Sequence, residues 1–254
     1  MRLLWFVAFF VLPVAGLRGS VLFDQLKEEY SRKGGVELAA GTESFPVTLA
    51  KGVVAGKNVP KSDIDIYLYL FRKEFGKYPA ELITLTGLKR VVFCRELSLN
   101  GQPRAALPDG ENNTLYLDVR SGIYSETYRR KVIHHGFYRL LDLASHDGTG
   151  DADWVALNAP DFHYGSAGAV AEGDNKSSLV SHPAPGFLNS WSMSAVEADK
   201  AEIFANLMVN DLKTRLLVKQ DEILRAKVQR LKDMLALFCR PCGEAFWANV
   251  AKQF

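Results

Sequence analysis

Reactive side chains are densest in the run Val132-Ile133-His134-His135-Gly136-Phe137-Tyr138-Arg139-Leu140-Leu141-Asp142. Imidazole is both a metal ligand and a proton carrier near neutral pH, so the chemistry on offer is metal-assisted or acid–base. With helical geometry, Tyr128, Val132, His135, Arg139 and Asp142 share one face, and Ile133, Phe137, Leu140, Leu141 and Ala144 form an apolar stripe. His134 projects about 100° away from His135, so the two cannot chelate one ion from one face. It is expected to support His135 from behind or to lie at the surface. One turn after His135, where a second ligating imidazole would stand, the chain has Arg139, a permanent cation. A guanidinium ~4 Å from a divalent ion would be repelled by on the order of 8 kcal/mol, even at an effective dielectric of about 20. Arg139 should therefore either pair with Glu202 or Asp199 of a later helix, bridging the two where an ion would sit, or point into solvent. His146, His163 and His182 are the remaining imidazoles, and one of them could complete a rebuilt site with His135 and Glu202.

The chain has 3 cysteines. Cys239 and Cys242 form a CRPC tetrad after a long helical pattern, which reads as a redox pair, half of a zinc site, or a tight local disulfide or packed thiol pair. A thioredoxin-type motif needs a preceding strand and a zinc site needs two further ligands, so the local pair is expected. Cys94, inside an apolar strand-like run, should be core. No GxSxG elbow, phosphate loop or GxGxxG fingerprint is present.

Three further blocks follow the histidine run in order. Val132 to Asp142 resembles VIHHEFxHxxD; Trp154-Val155-Ala156-Leu157-Asn158 with Phe162-His163-Tyr164-Gly165 resembles WxxLNxxxFxYG; and 186–205 resembles GFLNxYxxxxxEEDKAExFA. These patterns resemble a family of zinc-binding metallopeptidases, related in arrangement to gluzincins and lethal-factor-like toxins, over roughly residues 60–247. In such proteins two histidines at i and i+4 and a carboxylate from a second helix hold zinc, and the glutamate after the first histidine takes a proton from the zinc-bound water.

The resemblance implies an α+β, zincin-like fold, a small mixed or antiparallel sheet packed against a helix pair. His135 matches the first zinc histidine. The general-base position is Gly136, the second histidine position Arg139, the third-ligand position Ala198, and a transition-state tyrosine position Trp191. Asp142, Asp199, Glu202, Phe204 and Ala205 still match, and Tyr164 falls in the middle block. The expectation is a degenerate site: His135 a vestigial ligand, Glu202 a candidate one, Asp142, Asp199 and Tyr164 in the cleft, and no bound metal. Zinc would be expected only on the alternative of a rebuilt site.

Several elements must position these residues. Ser62, Asp63 and Asp65 open a helix with apolar positions Ile64, Tyr67, Leu68, Phe71 and Phe75, ended by Gly76 and Pro79. Leu88–Leu97 is rich in β-formers, Asn100-Gly101 signals a hairpin, and Thr114–Val119 alternates Leu115 and Leu117 with Tyr116 and Asp118. The histidine helix should run from about Ser125, its N-cap, to Ala144. Residues 145–190 read as a long loop bordering a cleft, and helical runs occupy about 194–239. The charged face of Lys213, Arg215, Lys219, Asp221, Glu222, Arg225, Lys227, Arg230, Lys232 and Asp233 reads as solvated.

The whole chain has 254 residues, 48% hydrophobic and 24% charged, with a net charge of +2, enough for one sizeable core. That balance offers no basic field for nucleic acid. Met1-Arg2, an apolar run from Leu3 to Ala15 and small residues before Gly16 read as a secretory signal over 1–16, too short to span a bilayer comfortably. The expected layout is signal, an N-terminal segment or linker over 17–58, and a metallopeptidase-like domain over 59–254, in a secreted or periplasmic protein that leaves the membrane once the signal is cleaved. Asn112-Asn113-Thr114 and Asn175-Lys176-Ser177 are glycosylation sequons. The favoured function is an inactive peptidase relative that binds a peptide or protein in the former cleft. Its alternatives are an active zinc peptidase and a purely structural secreted domain.

Overall fold

The computed structural model describes residues 21–41, 44–145, 151–165 and 180–252; the expected signal, His146 and the sequon at Asn175 lie outside them. The chain is α+β. It opens with α1 (Val21–Gly34), β1 (Glu37–Ala40), β2 (Val47–Leu49) and β3 (Gly52–Lys57), then α2 (Lys61–Phe75) and α3 (Ala80–Leu85). Four strands follow: β4 (Arg90–Leu99), β5 (Gln102–Pro103), β6 (Ala106–Asp109) and β7 (Thr114–Asp118). The remainder is helical: α4 (Glu126–Ser145), α5 (Ala152–Val155), α6 (Val196–Met208), α7 (Leu212–Gln220), α8 (Glu222–Phe238), a 3-10 turn (Arg240–Cys242) and α9 (Glu244–Lys252).

The sheet is mixed and open, in the order β2-β3-β4-β7-β6, with β1 and β5 also on β4. Strand β4 is long enough to serve two sets of partners. Its first half lies between β1 and β7, both parallel to it, and its second half takes β3 and β5, both antiparallel. The changeover coincides with a left-handed residue, Glu96 (φ 52°), and a register shift in β3 between Ala55 and Lys57, the local kink that a β-bulge introduces. Asn100 (φ 51°) and Gly101 (φ 77°) form the predicted tight turn, pairing Leu99 with Gln102.

One expectation needs correction here. Residues 21–57 are no linker: Leu26, Tyr30, Val36 and Leu38 join the main core, and β1 to β3 are sheet strands. Strands of three to six residues rich in Gly and Ala carry almost no alternation, so the sequence pattern could not show them. All five residues of β7 are buried, so both sets of its alternating side chains are covered. Tyr116 belongs to a smaller cluster with Leu49, Val54, Val92, Cys94, Leu97 and Leu107, against which Phe45 and Val47 pack. The sheet is thus covered on both sides.

The helix pair is as expected. The Ser125 hydroxyl accepts from the Tyr128 amide at 3.2 Å, capping α4. Its apolar stripe of Ile133, Phe137, Leu140 and Leu141 is buried in the main core, and α6 packs against α4.

Candidate metal centre and cleft

Helix α4 comes unusually close to the sheet at Gly136. A Cβ there would stand 2.9 Å from Leu115 Cδ1 and 3.1 Å from Ala106 Cβ, so the residue is glycine where helix meets β6 and β7. The facing surface is the sheet, not a loop.

The other face of α4 meets α6. His135 Nε2 lies 3.9 Å from Glu202 Oε1, and the Lys131 ammonium lies 3.6 Å from Glu202 Oε2. Asn189 donates its side-chain amide to Oε2 at 2.8 Å, and Asn206 donates to the same oxygen at 3.3 Å. Besides His135, the carboxylate therefore already has three nitrogen neighbours. Burial pushes the His135 pKa down to about 4; Glu202 pulls it up, and the charges of Arg139 and Lys131 lower it further. The ring is neutral at pH 7, and its Nε2 has no hydrogen-bond partner among the described residues.

The structure corrects the expected pairing of Arg139. Its guanidinium reaches Glu197 at 3.7 Å, with both side chains part-exposed, and forms no ion pair with Glu202 or Asp199. Glu197 precedes the expected ligand position and is part-exposed, whereas Ala198 is buried and offers no donor atom. Trp191 is half-buried before α6, where its carbonyl accepts from the Ser194 hydroxyl at 2.7 Å.

Asp199 and Tyr164 meet in a second buried cluster. The Asp199 carboxylate accepts from Trp154 Nε1 at 2.9 Å, from the Tyr164 hydroxyl at 2.7 Å and from Lys227 Nζ at 2.7 Å. Lys227 also donates to the Gly186 carbonyl at 2.9 Å. It is wholly buried, which overturns the reading of α8 as a uniformly solvated charged face. Burial raises the carboxyl pKa of Asp199 and lowers the ammonium pKa of Lys227, and each charge resists the loss of the other. Asp142 lies 3.4 Å from Lys200, which also reaches Asp151 at 3.0 Å; Arg230 clamps Asp151 from α8 at 2.6 Å.

A third cluster had no sequence expectation apart from His134, and it is the most buried of all. Glu74 accepts from Lys77 at 2.6 Å, Arg130 at 2.7 Å and His134 Nε2 at 2.8 Å, while the Tyr78 hydroxyl bonds His134 Nδ1. His134 is fully buried, contrary to a surface placement. Burial holds its pKa at about 4, which fixes the neutral ring as donor to Glu74 and acceptor from Tyr78. Glu74 would be raised by burial, but hydrogen bonds and charge from His134 and Lys77 prevail and hold it at about 2.

Among the described residues the donors are fewer than a catalytic zinc set needs. His135 and Glu202 supply two donor groups where three protein ligands are needed. The position one turn on holds a guanidinium, and the family's third-ligand position holds a methyl. His182 is engaged by Asp221 at 2.9 Å and His163 is exposed. Among the described residues no three His, Cys, Asp or Glu side chains gather as ligands.

No family model matches the chain, and no curated protein matches it. Among solved structures it is similar to a "putative zinc-binding metallo-peptidase" from Bacteroides caccae ATCC 43185, with a TM-score of 0.60, 14% identity, and 91% of each chain covered. At that identity the likeness establishes a shared fold: the chain has a metallopeptidase-like architecture.

Proposed function

We propose that this protein is an exported relative of zinc metallopeptidases that has lost catalysis and uses the former catalytic cleft to bind an extended peptide or protein segment. The observation that supports it most is the make-up of the α4–α6 cleft. Where a hydrolytic site needs a third metal ligand and a general base, this cleft has Arg139 tied to Glu197, Ala198, and a glycine wedged against the sheet. Removing the proton acceptor alone typically costs 10²–10⁴ in rate.

Binding needs none of those groups. Strand β6 forms one edge of the sheet and lies beside α4. A sheet edge can hydrogen-bond an extended backbone, while flanking side chains choose among sequences. Arg139, Glu197 and Glu202 give the adjoining cleft both signs of charge, suited to a polar peptide.

Elemental analysis of the full chain, expressed with zinc available, tests the loss of catalysis: zinc well below one equivalent and no chelator-sensitive hydrolysis are expected. Stoichiometric zinc, lost together with hydrolysis in His135→Ala, overturns the reading in favour of a rebuilt site. Binding to an immobilised peptide library tests the cleft. Retained binders should weaken at least tenfold in Arg139→Glu, and no retention leaves a structural domain instead. Export predicts that the protein released from its source cell begins near residue 17.

A further inference from the structure

Cys239 closes the C-terminus of α8 and Cys242 ends the 3-10 turn that leads into α9. Both are buried, their sulfurs 3.2 Å apart, and the Cys242 amide donates to the Cys239 carbonyl at 2.8 Å. Pro241 fixes one backbone torsion of the turn between them. The third thiol, Cys94, is in the sheet, where it contacts the Leu117 carbonyl. The geometry points to a specific modification site: Cys239 and Cys242 are the pair that a disulfide-type oxidant converts to an intramolecular disulfide, leaving Cys94 as a thiol.

The chemistry balances with oxidised glutathione as the oxidant. One cysteine thiolate attacks the glutathione disulfide and releases the first glutathione thiolate. The other cysteine sulfur then attacks the mixed disulfide, forming the Cys239–Cys242 bond and releasing the second. The two protein thiol protons end on the two glutathiones, the protein sulfurs lose two electrons, and glutathione gains them. Contact between the sulfurs favours this closure over a persistent mixed disulfide. Burial raises the pKa of both thiols, so the folded chain reacts slowly at neutral pH and the bond forms chiefly during folding. Once made, it ties the 3-10 turn ahead of α9 to the end of the last turn of α8. That turn carries Leu235, Leu237 and Phe238, which with Tyr138 and Leu141 of α4 line an apolar groove of about 330 Å³.

The test is refolding of the full chain from denaturant in glutathione buffer, so that burial cannot block access. In the oxidised buffer the expected product is lighter by two hydrogens, free of glutathione, and has one alkylatable thiol after unfolding, with peptide mapping joining Cys239 to Cys242. Its melting temperature should exceed that of the reduced protein by several degrees. The Cys239→Ser/Cys242→Ser variant should show no such difference between buffers, and if it does not fold, the oxidised and reduced wild-type forms supply the comparison. Three alkylatable thiols, a stable glutathione adduct, or a bond to Cys94 overturns the proposal.

Discussion

Gly136 stands where the metallopeptidase pattern that the sequence resembles has a glutamate, and its surroundings show why a glutamate does not fit there. Any side chain must push the Leu115 side chain aside and crowd the Ala106 Cβ, which has no freedom to rotate away. Ala is preferred over Gly in a helix by about 1 kcal/mol, but overpacking costs about 1–3 kcal/mol. Gly136→Ala should therefore destabilise the protein, by about 1 kcal/mol net in urea unfolding; a gain in stability would mean that the strands yield. Arg139 gives the opposite expectation. Its part-exposed contact with Glu197 belongs to the class of ion pairs worth little, so Arg139→Met should shift stability by no more than about 0.5 kcal/mol. A loss of several kcal/mol would instead indicate a buried cation bridging the helices. The helix face containing His135 and Arg139 was legible from spacing alone, because the 3.6-residue period fixes direction. The partner was not: which carboxylate meets Arg139 depends on how α6 is rotated, and Glu197, Asp199 and Glu202 point in different directions.

Helices α6 and α8 are joined by a pair that composition concealed. Lys227 lies in a run of alternating charges, so the pattern gave no reason to separate it from its solvated neighbours, yet it is the one that enters the core to meet Asp199. Lys227→Met leaves that carboxylate buried and unpaired. The expected cost is about 3–5 kcal/mol by denaturant unfolding, partly recovered in the double variant with Asp199→Asn. If the single variant were as stable as the wild type, the pair would contribute nothing. Strong periodicity made α2, α4 and the β4–β5 turn readable, down to the Ser125 cap. The strands of 37–57 escaped because their pairing depends on β4, a partner distant in sequence, and not on their own residues.

Acid sensitivity is a property of the whole molecule, and two buried imidazoles set the expectation, His134 in the cluster centred on Glu74 and His135 beside Glu202. His134 is neutral when folded, with a pKa of about 4 against an ordinary 6.5, so the unfolded chain binds its proton more readily between those values. Stability must then fall as pH drops from 6.5 towards 4, by up to about 3 kcal/mol from this residue. Glu74, held at about 2, contributes stability above its ordinary 4.5 that is lost on further descent. Urea midpoints at pH 7.5, 5.5 and 4 would measure the first window; His135, also held at about 4, contributes to it as well, so His134→Gln should remove about half of the slope. An unchanged slope in that variant would exclude the assignment. The cluster joins α2 to α4 through residues whose roles only tertiary contact reveals.

The anchoring of Trp154 has a practical consequence. Its indole nitrogen donates to Asp199, and the ammonium groups of Lys200 and Lys227 lie 5.7 Å and 5.9 Å from its ring. Water is excluded from that ring, so its fluorescence should be blue-shifted and poorly quenched by iodide. With Trp5, Trp191 and Trp247 replaced by Phe, detachment of α5 from α6 and α8 would redden that emission before circular dichroism changes, an intrinsic optical signal for opening of this corner without any added label.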